Sequence, residues 1–154
     1  MLVNRTPAES VATSDRGIIN GYRSGLEDTV AAQLAAAGVS VKYEPFAFQY
    51  VKPVRPSRYT PDFILPNGIV IETKGRFLTA DRQKHKWLKQ QWPSLDIRFV
   101  FSRATTRLSK TSSTTYAQWC EQYGFKWADK LVPTSWIVEA PAPTRITAIE
   151  KAKK

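Results

Sequence analysis

The alternation of apolar and polar residues predicts one helix near the start of the chain. Leu26, Val30 and Leu34 recur at helical spacing. Ser24 precedes them with a side chain suited to the N-cap, and Gly38 follows them, where a helix commonly ends. The sequence therefore predicts a first helix between Ser24 and Gly38.

The rest of the pattern predicts alternating strands and helices. In chain order it predicts strands at 39–50, 63–65 and 69–71, a helix from Thr79 to about Gln91, a strand at 96–102, a helix at 115–123 and a short helical turn from Pro133. The resulting order αβββαβα indicates an α/β (α+β) fold, in which helices flank a small mixed β-sheet.

The two ends of the chain and one central segment lack this periodicity. We expect residues 1–20 to form a flexible N-terminal arm and residues 139–154, which end in several lysines, to form a loose basic C-terminal tail. Residues 51–57 contain two prolines, which favours an extended connector outside the middle of a sheet. One folded domain would then span residues 21–138.

A tight turn at residues 66–68 joins two apolar runs into a hairpin. A three-residue loop with glycine in the left-handed conformation, here Gly68, is a favoured way to close such a hairpin. Pairing outward from this turn places Asp62 directly across from Glu72, with Cβ atoms about 4.5–5.5 Å apart. Lys74, two residues further along, shares their face.

Two carboxylates at this separation repel each other unless a cation lies between them. One interpretation is a surface salt bridge to Lys74. The other is a divalent ion, because Mg²⁺ is usually held by one or two carboxylates together with waters and substrate phosphates. On the second interpretation the ligands are Asp62, Glu72 and the Thr73 carbonyl. Lys74 would then deprotonate the attacking water or stabilise charge on phosphate oxygens.

Glu27 has two competing roles. As the fourth residue of a capping box that begins at Ser24, it suits helix capping, which is the role that the local sequence favours. A carboxylate in the first helical turn can also point into a neighbouring site and hold a second metal ion. The local sequence leaves both roles open.

The charge composition indicates which class of molecule the protein binds. Lys and Arg number 23 against 13 Asp and Glu, a net charge of +10. This excess favours a polyanionic partner, although a generally basic surface would give the same count. No apolar run is long enough to cross a membrane. Cys120 is the single cysteine, which excludes an internal disulfide and suits a reducing cytoplasm.

One motif resembles a known nuclease signature. Pro61-Asp62, nine further residues and then Glu72-Thr73-Lys74 match the PD-(D/E)xK pattern. Further segments between residues 22 and 138 resemble, in the same order, those of the phage endonuclease I family. Members of this family resolve four-way DNA junctions. The segments that carry it include Arg23-Ser24-Gly25-Leu26-Glu27-Asp28, Tyr59-Thr60-Pro61-Asp62-Phe63, Leu65-Pro66-Asn67-Gly68-Ile69, Glu72-Thr73-Lys74-Gly75 and Ala128-Asp129-Lys130.

The resemblance implies a Mg²⁺-dependent endonuclease that resolves Holliday junctions and other branched DNA, acting during phage recombination in the host cytoplasm. It implies one or two ions per site, with Mn²⁺ as a substitute, and it gives Glu27 a catalytic role. It also implies an intertwined homodimer that exchanges an N-terminal segment through a β-bridge at residues 46–58. Each site would combine Glu27 of one chain with Asp62, Glu72 and Lys74 of the other.

Selectivity for branched DNA would come from basic residues that contact the backbone rather than the base edges. A solvated helix face is an equal alternative for those in the second helix. A restriction-like or mismatch-repair nuclease and a non-catalytic DNA-binding module are the competing functions. The candidate DNA contacts are Arg76, Arg82, Lys84, His85, Lys86, Lys89, Arg103 and Arg107. For His85 a structural role is the alternative, because a lone histidine is more often structural.

Overall fold

A computed structural model describes residues 24–52 and 55–154. The helices are α1 (Gly25–Ala36), α2 (Thr79–Gln91), α3 (Tyr116–Tyr123), α4 (Thr134–Ile137) and α5 (Pro143–Ala152). The strands are β1 (Lys42–Tyr43), β2 (Phe48–Lys52), β3 (Arg55–Tyr59), β4 (Phe63–Ile64), β5 (Val70–Lys74), β6 (Ile97–Phe101) and β7 (Lys126–Asp129). The expected arm at residues 1–20 lies outside the described residues. Within the described ranges no helix combines the length and apolar character needed to cross a membrane.

Five strands form a mixed sheet in the order β1-β4-β5-β6-β7. β1, β4 and β5 are antiparallel neighbours, whereas β5, β6 and β7 run parallel. Parallel neighbours need a crossover connection, and α2 and α3 supply the two crossovers. β2 and β3 form a separate antiparallel pair. The predicted mixed sheet flanked by helices is confirmed.

Helices cover both faces of this sheet. Val30 of α1 and Trp136 of α4 pack with Ile71 on one face. On the other face Val70 packs in one cluster with residues of α2, α3 and α5. Because Val70 and Ile71 are neighbours on β5 and both fully buried, this strand is held from both sides. A side chain at its end therefore starts from a rigid backbone.

The predicted hairpin is confirmed in register. Phe63 pairs with Ile71, so the same register places Asp62 opposite Glu72. Gly68 closes the turn with φ of +86°, a conformation that favours glycine. A Cβ atom there would also lie 3.0 Å from a side chain of α5, so the close approach of that helix is a second reason for glycine.

The predicted strand at 39–50 is wrong in extent. Glu44 has φ of +39°, which turns the chain and separates β1 from β2. The expected connector at 51–57 is also partly wrong, because Arg55–Tyr59 forms β3 and pairs with β2. Pro56 is tolerated there because the pair stands apart from the main sheet, and a proline without an N–H group fits such an edge.

The expected loose tail at 139–154 is wrong as well. Residues Pro143–Ala152 form α5, in which Arg145, Ala148 and Ile149 are buried. These positions follow helical spacing, and a proline is readily accepted in the first turn of a helix. The high Pro and Ala content had suggested a disordered end. β7 was not predicted, because it is only four residues long and just one of them is buried.

A buried ionic network ties α5 to the sheet. Arg98 on β6 is 1% exposed, and its guanidinium donates to the carboxylates of Asp96 and Glu139, each at 2.7 Å. Arg145 donates to Glu139 at 2.9 Å and to the Asn67 carbonyl at 3.3 Å. Every charge in this network is paired, which a buried guanidinium requires. The network also reaches the hairpin turn through Asn67.

This network predicts a specific sensitivity to acid. Hydrogen bonds from Arg98, then from Arg145, lower the pKa of Glu139 to about 2. A carboxyl group whose pKa is lower in the folded state stabilises that state above its unfolded pKa, and the contribution is lost as the pH falls through the folded pKa. We therefore expect the Tm of the unsubstituted protein, measured calorimetrically between about pH 5 and pH 2, to fall more steeply than that of Glu139→Gln. Equal slopes would contradict this role.

Candidate active site

Asp62 and Glu72 lie at the open end of the hairpin and are 8% and 3% exposed. Oδ2 of Asp62 accepts hydrogen bonds from the backbone N–H and the hydroxyl of Thr73, both at 2.8 Å. Among the described residues, none donates to Oδ1 of Asp62. One oxygen thus fixes the carboxylate and the other is left for a ligand.

The Glu72 carboxylate is bound at both oxygens. Oε2 accepts a hydrogen bond from the Tyr59 hydroxyl at 2.7 Å. Oε1 lies 3.1 Å from Nζ of Lys74, which also lies 3.4 Å from Oδ1 of Asp81. Lys74 is therefore placed between two carboxylates, one on β5 and one in the first turn of α2.

Glu27 is brought toward the same site by α1. The Ser24 side chain accepts a hydrogen bond from the Glu27 N–H at 3.1 Å and caps the helix. The Glu27 carboxylate accepts a hydrogen bond from the Tyr43 hydroxyl at 2.6 Å, and its charge is near enough to raise the pKa of Asp62. Of the two roles left open by the sequence, this orientation favours the site.

The negative charges of Glu72 and Glu27 act on the carboxyl group of Asp62. Burial, followed by the charges of Glu72 and Glu27, raises the pKa of Asp62 to about 8, although the hydrogen bonds from Thr73 oppose the shift. Such a raised pKa marks a position where negative charge is uncompensated and a cation would be stabilising. Asp62 is therefore the carboxylate at which an added positive charge has the largest effect.

Lys74 keeps its proton. Burial disfavours the ammonium form, but the charges of Glu72 and then Asp81 outweigh it and raise the pKa of Lys74 above its ordinary value. Burial also opposes the charged form of Glu72, yet Lys74 is the main group that lowers the pKa of Glu72. A retained ammonium can stabilise developing negative charge but cannot accept a proton. Of the two predicted roles of Lys74, the geometry favours charge stabilisation.

The donor set fits a hard divalent ion. Within residues 24–52 and 55–154, no three or more His, Cys, Asp and Glu side chains form a ready-made metal cage. Mg²⁺ does not need one, because it usually keeps several waters and takes one or two carboxylates plus substrate phosphates. Asp62 and Glu72, opposite each other across the hairpin, match this requirement. An ion at this place would also relieve the repulsion at Asp62.

The predicted DNA contact at His85 is wrong. His85 is fully buried, because it and Leu88 form the inward face of α2. Burial lowers the pKa of His85 to about 4. The Arg82 guanidinium already has protein partners, because it donates hydrogen bonds to the Phe77 carbonyl and to the Thr79 hydroxyl at the start of α2.

The other predicted DNA contacts lie in two regions. Arg76, Arg103 and Arg107 are exposed. The lysines of α2 rest on aromatic rings: Lys84 lies 5.5 Å from the ring centre of Tyr59, Lys86 lies 4.5 Å from that of Tyr123, and Lys89 lies 4.7 Å from that of Phe125. A lysine can cover an aromatic ring and still present charge to solvent. These positions stay predictions.

Three contacting residues were not predicted from the sequence. Tyr59 and Tyr43 bind the carboxylates of Glu72 and Glu27, and Asp81 binds Lys74. Tyr59 stands in a segment that resembles the family, which is a signal that could have found it. The other two contacts depend on how β1 and α2 pack against the hairpin.

Two buried carboxylates beside a lysine, in a basic α+β domain, suit metal-assisted hydrolysis of a phosphate ester. The model of the family described as Phage endonuclease I matches residues 8–154, and the chain belongs to this family. It is 50% identical over 121 residues to Endonuclease I of Escherichia phage T7, covering 79% of this chain and 81% of the relative. It is 49% identical over 118 residues to Endodeoxyribonuclease 1 of Enterobacteria phage T3, covering 77% and 78%. The resemblance drawn from the motifs is confirmed, and the chain is a phage endonuclease.

Proposed function

We propose that the protein is a Mg²⁺-dependent endodeoxyribonuclease that resolves four-way junctions and other branched DNA in phage recombination. The observation that carries the proposal is the pair of buried carboxylates, Asp62 and Glu72, opposite each other across the hairpin and beside the ammonium of Lys74. The name endodeoxyribonuclease, given to the phage T3 relative, supports DNA as the substrate. The net charge of +10 supports a polyanionic substrate as well.

Each residue of the site has a definite task in this reaction. Asp62, Glu72 and the Thr73 carbonyl would hold Mg²⁺, or Mn²⁺ in its place, and Glu27 would hold a second ion or orient the attacking water. The bound ion supplies an activated water and a positive charge for the phosphate oxygens. Lys74 stabilises the charge that builds on these oxygens, and Asp81 holds Lys74 in place.

A domain-swapped homodimer belongs to the same proposal. Residues 24–52 are attached to the rest of the domain by β1–β4 pairing and by hydrogen bonds that do not depend on chain connection. Gln33 exchanges two bonds with the backbone of Val132, and Gln91 exchanges two with that of Val51. A partner's domain could receive the same segment with the same contacts. Residues 46–58 would then cross between protomers.

The dimer matches the geometry of the substrate. Productive resolution of a four-way junction needs two cuts on strands related by an approximate two-fold axis. An isologous dimer supplies two sites with this relation. Exchange of the segment that carries Glu27 would also make each site dependent on both chains.

Exposed basic residues would bind the DNA backbone. Arg76, Arg103 and Arg107 keep this role in the proposal. Lys130 joins them, because it and Arg103 line a cavity of about 620 Å³ where β6 and β7 end. Ligands commonly bind beyond the carboxyl ends of parallel strands. Lys84, Lys86 and Lys89 would form a second basic region along α2.

The test compares a four-way junction with a linear duplex of the same sequence in Mg²⁺. We expect the junction to be cut at least about tenfold faster, which corresponds to about 1.4 kcal/mol in activation free energy. Glu72→Gln should bind the junction and cut neither DNA. Equal cutting of both substrates, or cutting confined to one sequence, would favour a restriction-like or mismatch-repair nuclease. Absence of cutting by the unsubstituted protein would favour a non-catalytic module.

A further inference from the structure

One buried polar side-chain atom in the described part of the chain has no hydrogen-bond partner: Nε2 of His85. The residue is 0% exposed, and its ring is packed edge-on against Tyr59 and Phe99. Buried polar atoms are nearly always paired, with protein groups or with ordered water. This atom therefore points to a partner that is not a protein group.

The opposite ring nitrogen determines what Nε2 can do. Nδ1 lies 2.8 Å from the carbonyl oxygen of Asp81. A carbonyl oxygen only accepts, so the hydrogen is on Nδ1 and the lone pair is on Nε2. Nε2 is therefore an acceptor that faces away from the backbone of α2.

The group that faces Nε2 is the Glu72 carboxylate. Its Oε1 lies 3.9 Å away, too far for a direct hydrogen bond, and it is itself an acceptor. A water molecule can reach two acceptors at this separation and donate one hydrogen to each. The other carboxylate oxygen, Oε2, already accepts the Tyr59 hydroxyl at 2.7 Å.

We propose that Tyr59 and His85 are positioning residues that hold the Glu72 carboxylate in its metal-binding orientation. Tyr59 binds Oε2 directly, and His85 binds Oε1 through an ordered buried water. Together with Lys74, which lies 3.1 Å from Oε1, these two partners fix the plane of the carboxylate, as groups behind metal ligands generally do. The inference rests on the proposed function and adds to it two residues that would touch neither metal nor DNA.

The test measures metal uptake rather than turnover. Tyr59→Phe and His85→Phe remove the hydroxyl and the ring nitrogens but keep the rings that pack in the core. Tyr116→Phe is the matched control, since its buried hydroxyl accepts a bond from the Phe77 N–H rather than binding a carboxylate of the site. Mn²⁺ binding to the whole protein without DNA is measured by calorimetry. We expect the Kd to rise by roughly 10- to 100-fold in the first two variants and to be unchanged in Tyr116→Phe.

Stability measurements separate positioning from packing. Tyr59→Phe and Tyr116→Phe should lower the Tm by similar amounts, so only the metal Kd distinguishes them. His85→Gln, which keeps a polar atom near the position of Nε2, should bind Mn²⁺ more tightly than His85→Phe. If His85→Phe does not fold, His85→Gln and Tyr59→Phe decide the question through the same Kd.

The Mn²⁺ measurements distinguish failure of the positioning role from failure of the proposed function. If the unsubstituted protein binds Mn²⁺ and the variants bind it equally well, the positioning role is overturned and the proposed function stands. If the unsubstituted protein binds no Mn²⁺, both are overturned. A high-resolution crystal structure should show a water within hydrogen-bond distance of Nε2 and Oε1, and a direct contact between these atoms would overturn the bridging water.

Discussion

Asp62→Asn is expected to abolish cleavage of junction DNA, lowering the rate by about 10²- to 10⁴-fold, the range for loss of one essential charged group. Asn can still accept the two hydrogen bonds from Thr73, so the hairpin keeps its geometry. It brings no negative charge to hold a cation. DNA binding should persist, because it depends on the basic residues outside the hairpin. Rates come from cleavage of a labelled junction, and affinities come from gel shifts in Ca²⁺ or without metal.

The same variant has an opposite effect on stability. In the metal-free protein, burial and then Glu72 raise the pKa of Asp62 to about 8, so at neutral pH folding requires this carboxyl to take up a proton, which costs stability. The neutral amide avoids this cost, so the variant should have a higher Tm. Added Mg²⁺ should stabilise the unsubstituted protein, since a ligand that binds only the folded state raises its apparent stability. It should not stabilise Asp62→Asn. Glu121→Gln on α3, the same carboxylate-to-amide change away from the site, is the control and should behave like the unsubstituted protein.

Two results would contradict this assignment of Asp62. Turnover of Asp62→Asn at the unsubstituted rate would remove it from the reaction. Equal Mg²⁺ stabilisation of the variant and the unsubstituted protein would place the ion elsewhere. A lower metal-free Tm in the variant would mean that Asp62 is under no net repulsion from Glu72 and Glu27 in the folded protein.

The central part of the site could be predicted because it depends on local geometry. The turn that ends at Gly68 sets the register of β4 and β5, and register alone places Asp62 opposite Glu72. Lys74 follows from the two-residue period of a strand. These relations need no knowledge of the rest of the fold, so the sequence was sufficient for them.

The partners of these residues could not be predicted, because they depend on tertiary packing. α2 is strongly polar, and its sequence does not indicate that His85 rather than a neighbouring residue faces the core. The role of Tyr59 depends on the course of β3, which was expected to be a connector. In α5 the buried Arg145 occupies a position that an apolar residue would normally mark, so the helical pattern was hidden. Of its partners, Asp96 lies 49 residues away in the sequence, and Glu139, six residues away, lies outside the helix.

Whether residues 24–52 bind their own domain or that of a partner cannot be decided by pattern, because the same contacts serve in both cases. The two arrangements differ in whether Glu27 and Lys74 of one site belong to one chain or to two. Glu27→Ala and Lys74→Ala chains are each expected to be inactive alone. Refolded together, they should regain nicking activity, because an exchanged heterodimer has one site with both residues intact. With random pairing about half of the dimers are mixed, so about a quarter of the sites are restored.

The control mixes two variants whose substitutions both lie outside the exchanged segment. Glu72 and Lys74 both follow residue 54, so a mixture of Glu72→Gln and Lys74→Ala chains should stay inactive whether or not the segment is exchanged. Restored activity should also appear as single nicks, since a heterodimer has one working site, and paired cuts should be absent. Nicking in the first mixture but not in the control would place Glu27 in the partner's site. Inactivity of both mixtures would mean that each site is built within one chain, as the hydrogen bonds of a single chain also permit.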